Sequence, residues 1–287
     1  MQTAITSAAV AGAEVSASRA DAGSAVRWRD AVMDGALLGI FMISACVFTV
    51  LLEHPASPAT QAIASPFARR ALIGLAMALT AVALIYCPWG RLTGALMNPA
   101  TTLCFLRLGR IAPRAAAAYA VAQFAGAAGG VALAAAVLRP LAGHPSVSYV
   151  ATLPGSHGWG VAWLGEFVIA FLMMTMILTV NRRPRLAAFT GVFAGALVAL
   201  YITFEAPLSG MSLNPARSFG SAVAAMRWAE LWIYFTAPVA GMLAAVELRH
   251  RLGHSKRAMC GKWVHSNDNA CVFSCDCLKP RRIEADE

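Results

Sequence analysis

The chain has 287 residues, 59% of them hydrophobic and only 13% charged, with a formal net charge of +9. A soluble domain of this size carries roughly a quarter of its residues as charges, so the composition excludes an ordinary water-soluble globule. The few charges are bunched between long apolar runs, which is the pattern of an integral membrane protein.

Residues 1–30 form a polar lead rich in Ala and Ser, with Arg19, Arg27 and Arg29, and are expected to be a disordered cytosolic tail. Apolar runs follow at 31–52, 71–87, 115–138, 159–180, 187–204 and 231–246. Most reach the roughly 18–20 residues with which a helix crosses a ~30 Å hydrocarbon core. The two short runs, 71–87 and 231–246, gain length from flanking residues such as Ala68 and Ala229. The first run lies too far into the chain, and is too long, for the core of a cleaved signal peptide.

Six spans put both termini on one side. On that side fall three Lys or Arg in the N-terminal tail, four across 91–114, three at 182–185 and eight in the C-terminal tail. Only Arg69, Arg70, Arg139, Arg217 and Arg227 lie on the other. The excess of cationic residues marks the cytoplasmic side, so the basic charge reads as topology and no nucleic-acid partner is expected.

The segment Gly94-Ala-Leu-Met-Asn98-Pro99-Ala100 returns 116 residues later as Gly210-Met-Ser-Leu-Asn214-Pro215-Ala216. Three spans accompany each copy, and three is odd, so the second half enters the membrane from the opposite side. Inverted repeats of this kind place a functional site at the midplane between the halves. Asn is a favoured N-cap and Pro suits the first helical position. Each copy therefore signals a half-helix, starting at Pro99 or Pro215 and too short to span. Eight helical residues rise about 12 Å, so two such pieces meeting N-terminus to N-terminus would fill the core.

Asn98 and Asn214 then offer amide donors at the midplane, backed by the positive ends of two helices, a barrier to cations that neutral solutes do not meet. Arg217, one turn past the second cap, is a charge within the membrane and is read as a pore residue. Asp34 and Glu166, in the first and fourth spans, are read as acceptors that hold the two loops still. The pairs Gly35/Gly39, Gly74/Ala78, Ala122/Gly126 and Gly191/Gly195 are spaced by four and read as close helix contacts.

These features resemble the aquaporin and glycerol-facilitator family, the major intrinsic proteins, over about residues 29–250. The likeness is most specific at Ser209-Gly-Met-Ser-Leu-Asn-Pro-Ala-Arg-Ser-Phe-Gly220. It extends to Tyr119-x-x-Ala-Gln123-x-x-Gly126, Gly165-Glu166-Phe167 and Tyr234…Pro238-x-x-Gly241. The resemblance implies an all-α transmembrane, aquaporin-like fold of six spanning helices plus two re-entrant half-helices. It also implies a homotetramer with one pore per subunit. Counting back without gaps, it assigns the narrowest point to Ala78, Ile202, Met211 and Arg217. Strict water channels of the family carry an aromatic and a histidine at the first two positions, and both are absent here. Asp34 is shorter than the family's usual Glu. The insertion-like Cys87-Pro-Trp-Gly90 lies between Ala78 and Asn98, within the stretch that is counted.

Cys46, Cys87 and Cys104 lie in or beside spans, where a free Cys serves as a small apolar group. Cys260, His265, Cys271, Cys275 and Cys277 sit in the basic tail, 251–287. They are the weak candidates for a metal, because their spacing departs from that of a structural zinc site.

The channel domain is expected at 31–250, with a first repeat at 31–138 and a second at 159–250. The expected function is passive passage of water and small neutral solutes such as glycerol, urea or hydrogen peroxide, with ions and protons excluded and no cofactor. The Asn pair supplies neither nucleophile nor base, so an enzyme is not expected. A secondary transporter built on inverted repeats is the alternative, weakened by the lack of a spare carboxylate in the spans. The Ala-rich composition and the missing secretory leader point to a bacterial-type member in the inner (plasma) membrane, multi-pass, with both termini cytoplasmic.

Overall fold

The computed structural model describes residues 27–252 together with Lys262, Trp263 and Phe273. Most of both expected tails, including Cys260, His265, Cys271, Cys275 and Cys277, lies outside the described residues. Six helices are long and apolar enough to cross a membrane. They are α1 (Trp28–Glu53), α2 (Pro66–Tyr86), α4 (Pro113–Val137), α5 (Gly158–Val180), α6 (Ala187–Ser209, with a π turn at Tyr201–Glu205) and α8 (Leu231–Arg251). Among the shorter helices between them are α3 (Pro99–Arg107) and α7 (Pro215–Ala225).

Local chemistry sets the ends. Ser65 caps α2 by accepting from the amide of Ala68, with Pro66 in the first turn, so this span does lengthen through Ala68. The sixth span differs from the expectation: Ala229 stays in the turn before α8, and the helix lengthens at its other end. Arg249, His250 and Arg251 occupy that last turn, where cationic side chains suit the negative end of the helix dipole.

Small residues let the helix backbones touch. A Cβ on Gly35 would sit 2.2 Å from the Ala122 carbonyl oxygen, and one on Gly126 would sit 1.9 Å from that of Gly35. These contacts seat α1 on α4. The second half repeats the arrangement, with Gly241 of α8 closed against the Phe167 carbonyl of α5 at 2.3 Å. In the same way α2 lies on α6, where a Cβ on Gly195 would meet the Ala78 carbonyl at 3.1 Å. Close approach of this kind replaces the hydrophobic drive that lipid cannot supply.

The short helices exchange places between halves. α3 packs on α8, and α7 packs on α4, where Gly220 leaves no room for a Cβ against Ala127. Leu75, Leu79, Val121, Leu133, Leu172 and Phe204 point outward. Such a surface suits hydrocarbon and would be a liability in water.

Candidate functional site

Two loops built to one plan enter the middle of the bundle. In the first, Gly94, Ala95 and Met97 have φ of +91°, +52° and +46°; in the second, Gly210, Met211 and Leu213 have +85°, +50° and +60°. Non-glycine residues held there cost of order 1–3 kcal/mol each, so the surroundings must hold them. Thr93 and Ser209 do so identically. Each accepts from the amide two residues on, at 3.2 Å (Ala95) and 3.0 Å (Met211). Each also donates to a buried acid, Thr93 to Asp34 at 3.2 Å and Ser209 to Glu166 at 3.1 Å. Tyr119 and Tyr234 donate to the carbonyls of Thr93 (3.1 Å) and Ser209 (2.6 Å).

The acids then take the loop backbones. Asp34 accepts from Met97 N at 2.8 Å and from Gln123 Nε2 at 2.7 Å. Glu166 accepts from Ser212 N at 2.5 Å and Leu213 N at 2.8 Å. Both acids are fully buried.

Each loop ends in an asparagine that caps a half-helix. Asn98 Oδ1 accepts from Ala100 N at 2.9 Å, and Asn214 Oδ1 accepts from Ala216 N at 3.0 Å and Arg217 N at 3.3 Å. Pro99 and Pro215 follow in the first turn, and Ala100 and Ala216 are buried. The two amides also exchange bonds across the midline. Asn98 Nδ2 donates to Leu213 O at 2.8 Å, and Asn214 Nδ2 donates to Met97 O at 2.7 Å. An amide nitrogen has two protons, so each Asn keeps one for a solute in the cavity that both residues line.

That cavity, about 310 Å³, is walled mainly by apolar side chains. Ile202, Met211 and Arg217 are on its wall. The Arg217 guanidinium is tied to the Thr152 hydroxyl, which also bonds Ser218 at 2.9 Å. Ala78 is a correction: it is not on the wall but buried against Gly195 of α6. The stripe of α2 that faces the cavity is Ile73, Met77, Ala81 and Ile85. Residues Pro88–Thr93, between α2 and the first loop, form a short helix of their own.

Three features escaped sequence reasoning. Phe41 of α1 is on the cavity wall, and Thr152 anchors Arg217 from a loop. The third corrects the view that the spans hold no spare carboxylate. Glu205, at the end of the π turn, is partly buried beside Gly165, with both carboxylate oxygens shielded from solvent near Ser209. An acidic residue just beyond the apolar run was its only signal. Among the described residues no three His, Cys, Asp or Glu gather as a metal site.

Fold and site together define a membrane protein of two inverted repeats whose capped half-helices meet beside a common cavity. The chain belongs to the family described as Major intrinsic protein, which matches residues 24–248. It is 37% identical over 174 residues to Aquaporin NIP1-4 of Oryza sativa subsp. japonica, covering 60% of this chain and 61% of the rice protein. It is also 37% identical over 189 residues to Probable aquaporin AqpM of Archaeoglobus fulgidus, covering 63% and 75%. The chain spans about half to three-fifths of the length of the rice relatives it matches. A solved structure, the aquaglyceroporin from Plasmodium falciparum, superposes with a TM-score of 0.63 at 15% identity, covering 77% of this chain and 96% of that one. At that identity the likeness speaks for the fold alone.

Proposed function

We propose that the chain is a passive channel for water and small neutral solutes that excludes ions and protons. One observation carries the reading: Asn98 and Asn214 sit together on the cavity, each with one amide proton spoken for and one free. Two helix N-termini stand behind them, so a cation meets positive potential from both sides. A neutral hydroxyl or amide oxygen instead finds donors. Arg217 adds a third source of donors on the same wall. The printed names of the relatives, aquaporins, support the same class.

The rest of the lining, with Ile73, Met77 and Ile202, is apolar, which suits a solute with a carbon skeleton as well as water. Glycerol, urea and hydrogen peroxide are therefore proposed as further solutes. The constriction is proposed to lie at Arg217, Met211, Ile202 and the Ile73–Met77 stretch of α2. Lipid-facing leucines on several helices and the family's habit support a homotetramer in a plasma membrane, of bacterial type by composition. The bias of Lys and Arg supports cytoplasmic termini.

A second reading, a secondary transporter, draws on Glu205, whose carboxylate oxygens are shielded from solvent within the sixth-span bundle near Ser209. Stopped-flow light scattering on proteoliposomes separates the two. Fast osmotic shrinkage without collapse of an imposed proton gradient is the result expected. Uptake that saturates and requires an ion would overturn the channel reading.

A further inference from the structure

The mouth of the cavity on the side of the two termini holds part of the chain itself. Lys262, Trp263 and Phe273, the described residues of the C-terminal segment, are all buried there. Trp263 shares the cavity wall with Leu96, Met173 and Met242, and Asn98 lies on the same wall. Its backbone amide donates to the carbonyl of Gly94 at 3.3 Å, so the segment grips the loop that carries the first asparagine. Asn181, at the end of α5, donates from its side chain to the carbonyl of Lys262 at 3.0 Å. Phe273 meets Tyr119 edge-on, ring centroids 6.3 Å apart, and its ring fills the space where Gly94 lacks a side chain. Tyr119 is the residue whose hydroxyl ties down that loop.

We propose that this segment is a plug: the mouth is a docking surface for residues Lys262, Trp263 and Phe273 of the same chain, and docking closes the pore. The proposal rests on the channel reading. An indole on the pore wall removes the width that a solute column needs. The grip is also limited. The Lys262 ammonium and the Trp263 indole nitrogen are buried with no hydrogen-bond partner among the described residues. An unpaired buried charge opposes docking strongly, so the plug is poised to leave once the balance shifts.

The test compares the full chain with its W263A, N181A and K262M variants in proteoliposomes. Flux is read by stopped-flow, and docking by the rate of trypsin cleavage after Lys262. If about nine in ten pores are plugged, W263A raises the unit permeability about tenfold, and cleavage after Lys262 quickens. N181A, whose change lies outside the pore lining, shifts both readouts the same way by a smaller factor and guards against misfolding of the first variant. K262M removes the opposing charge and lowers flux below that of the unaltered chain. Cleavage after Lys262 that is equally fast in the unaltered chain and in W263A would overturn docking. Faster cleavage in W263A with unchanged flux would overturn closure. If no variant conducts any solute while cleavage still differs, the channel reading fails and the closing role falls with it.

Discussion

Asp34 and Glu166 do one task from opposite halves with unequal reach: Asp34 takes one loop amide, that of Met97, while Glu166 takes two, those of Ser212 and Leu213. The shorter acid is made up to strength by Gln123, which donates to it at 2.7 Å and also bonds Thr102. Removing Glu166 strands two backbone amides that have nowhere else to turn, at about 1–3 kcal/mol each. Removing Asp34 strands one, because Gln123 and Thr93 are side chains that can pair again. Glu166→Ala is therefore expected to unfold at a lower temperature than Asp34→Ala, by about 1–3 kcal/mol of stability. Thermal unfolding of the two purified variants in detergent checks the order.

Residue choice on α2 should matter by register. Met77→Phe with Ile202→His is expected to narrow the cavity and cut glycerol flux far more than water flux in proteoliposomes. Ala78→Phe is expected to behave differently, because position 78 is buried, off the cavity lining, with its carbonyl against Gly195 of α6. Overpacking there costs about 1–3 kcal/mol, so the yield of folded protein drops before selectivity changes. A clean selectivity shift from Ala78→Phe alone would put the cavity-facing stripe elsewhere.

Thr152 decides how still Arg217 is held. A hydrogen bond to a charged group contributes roughly 1.5–3 kcal/mol, and Thr152→Val removes this one. The freed guanidinium then samples the cavity, and flux of water and glycerol is expected to fall together severalfold. Thr152→Ser keeps the hydroxyl and should restore both. Rates for the pair of variants, measured side by side, settle the role of the hydroxyl as against the methyl group.

Glu205 separates stability from transport. A carboxylate shielded from solvent with few hydrogen bonds opposes folding by about 1–3 kcal/mol on mutational scales. Glu205→Met is therefore expected to raise the unfolding temperature and leave passive flux unchanged. A variant that folds well yet loses solute movement would make this carboxylate part of the transport cycle.

Most of the architecture was legible because its signals are local or repeat. Asn before Pro marks a helix start wherever it stands, so α3 and α7 begin at Pro99 and Pro215. Glycines four apart mark close contacts, and Gly35, Gly126 and Gly195 make them. What was not legible depends on register and on distant loops. Ala78 lies off the cavity lining, where Met77 stands, and a local pattern does not fix which face of α2 turns inward across the helix at Pro88–Thr93. Thr152 lies 65 residues from the arginine it anchors, a pairing no local pattern announces. Glu205 reads as a polar end to a span, and only the fold reveals that its carboxylate oxygens are shielded from solvent. Trp263 belongs to a basic tail whose composition gives no hint that it returns to the pore.

The π turn at Tyr201–Glu205 has a geometric consequence for the cavity wall. Ala194, Val198, Ile202 and Ala206 all lie on that wall, each four residues after the last. In a regular α-helix every step of four advances the side chain by about 40°, so such a stripe winds slowly away from a straight axis. A wider turn accommodates an extra residue and swings the following side chains back. The turn at 201–205 thus halts that drift over the last step, so that Ala206 stays on the wall with Ile202. Shortening the helix by one residue there would leave each half well folded and still point the outer end of the wall at its neighbour.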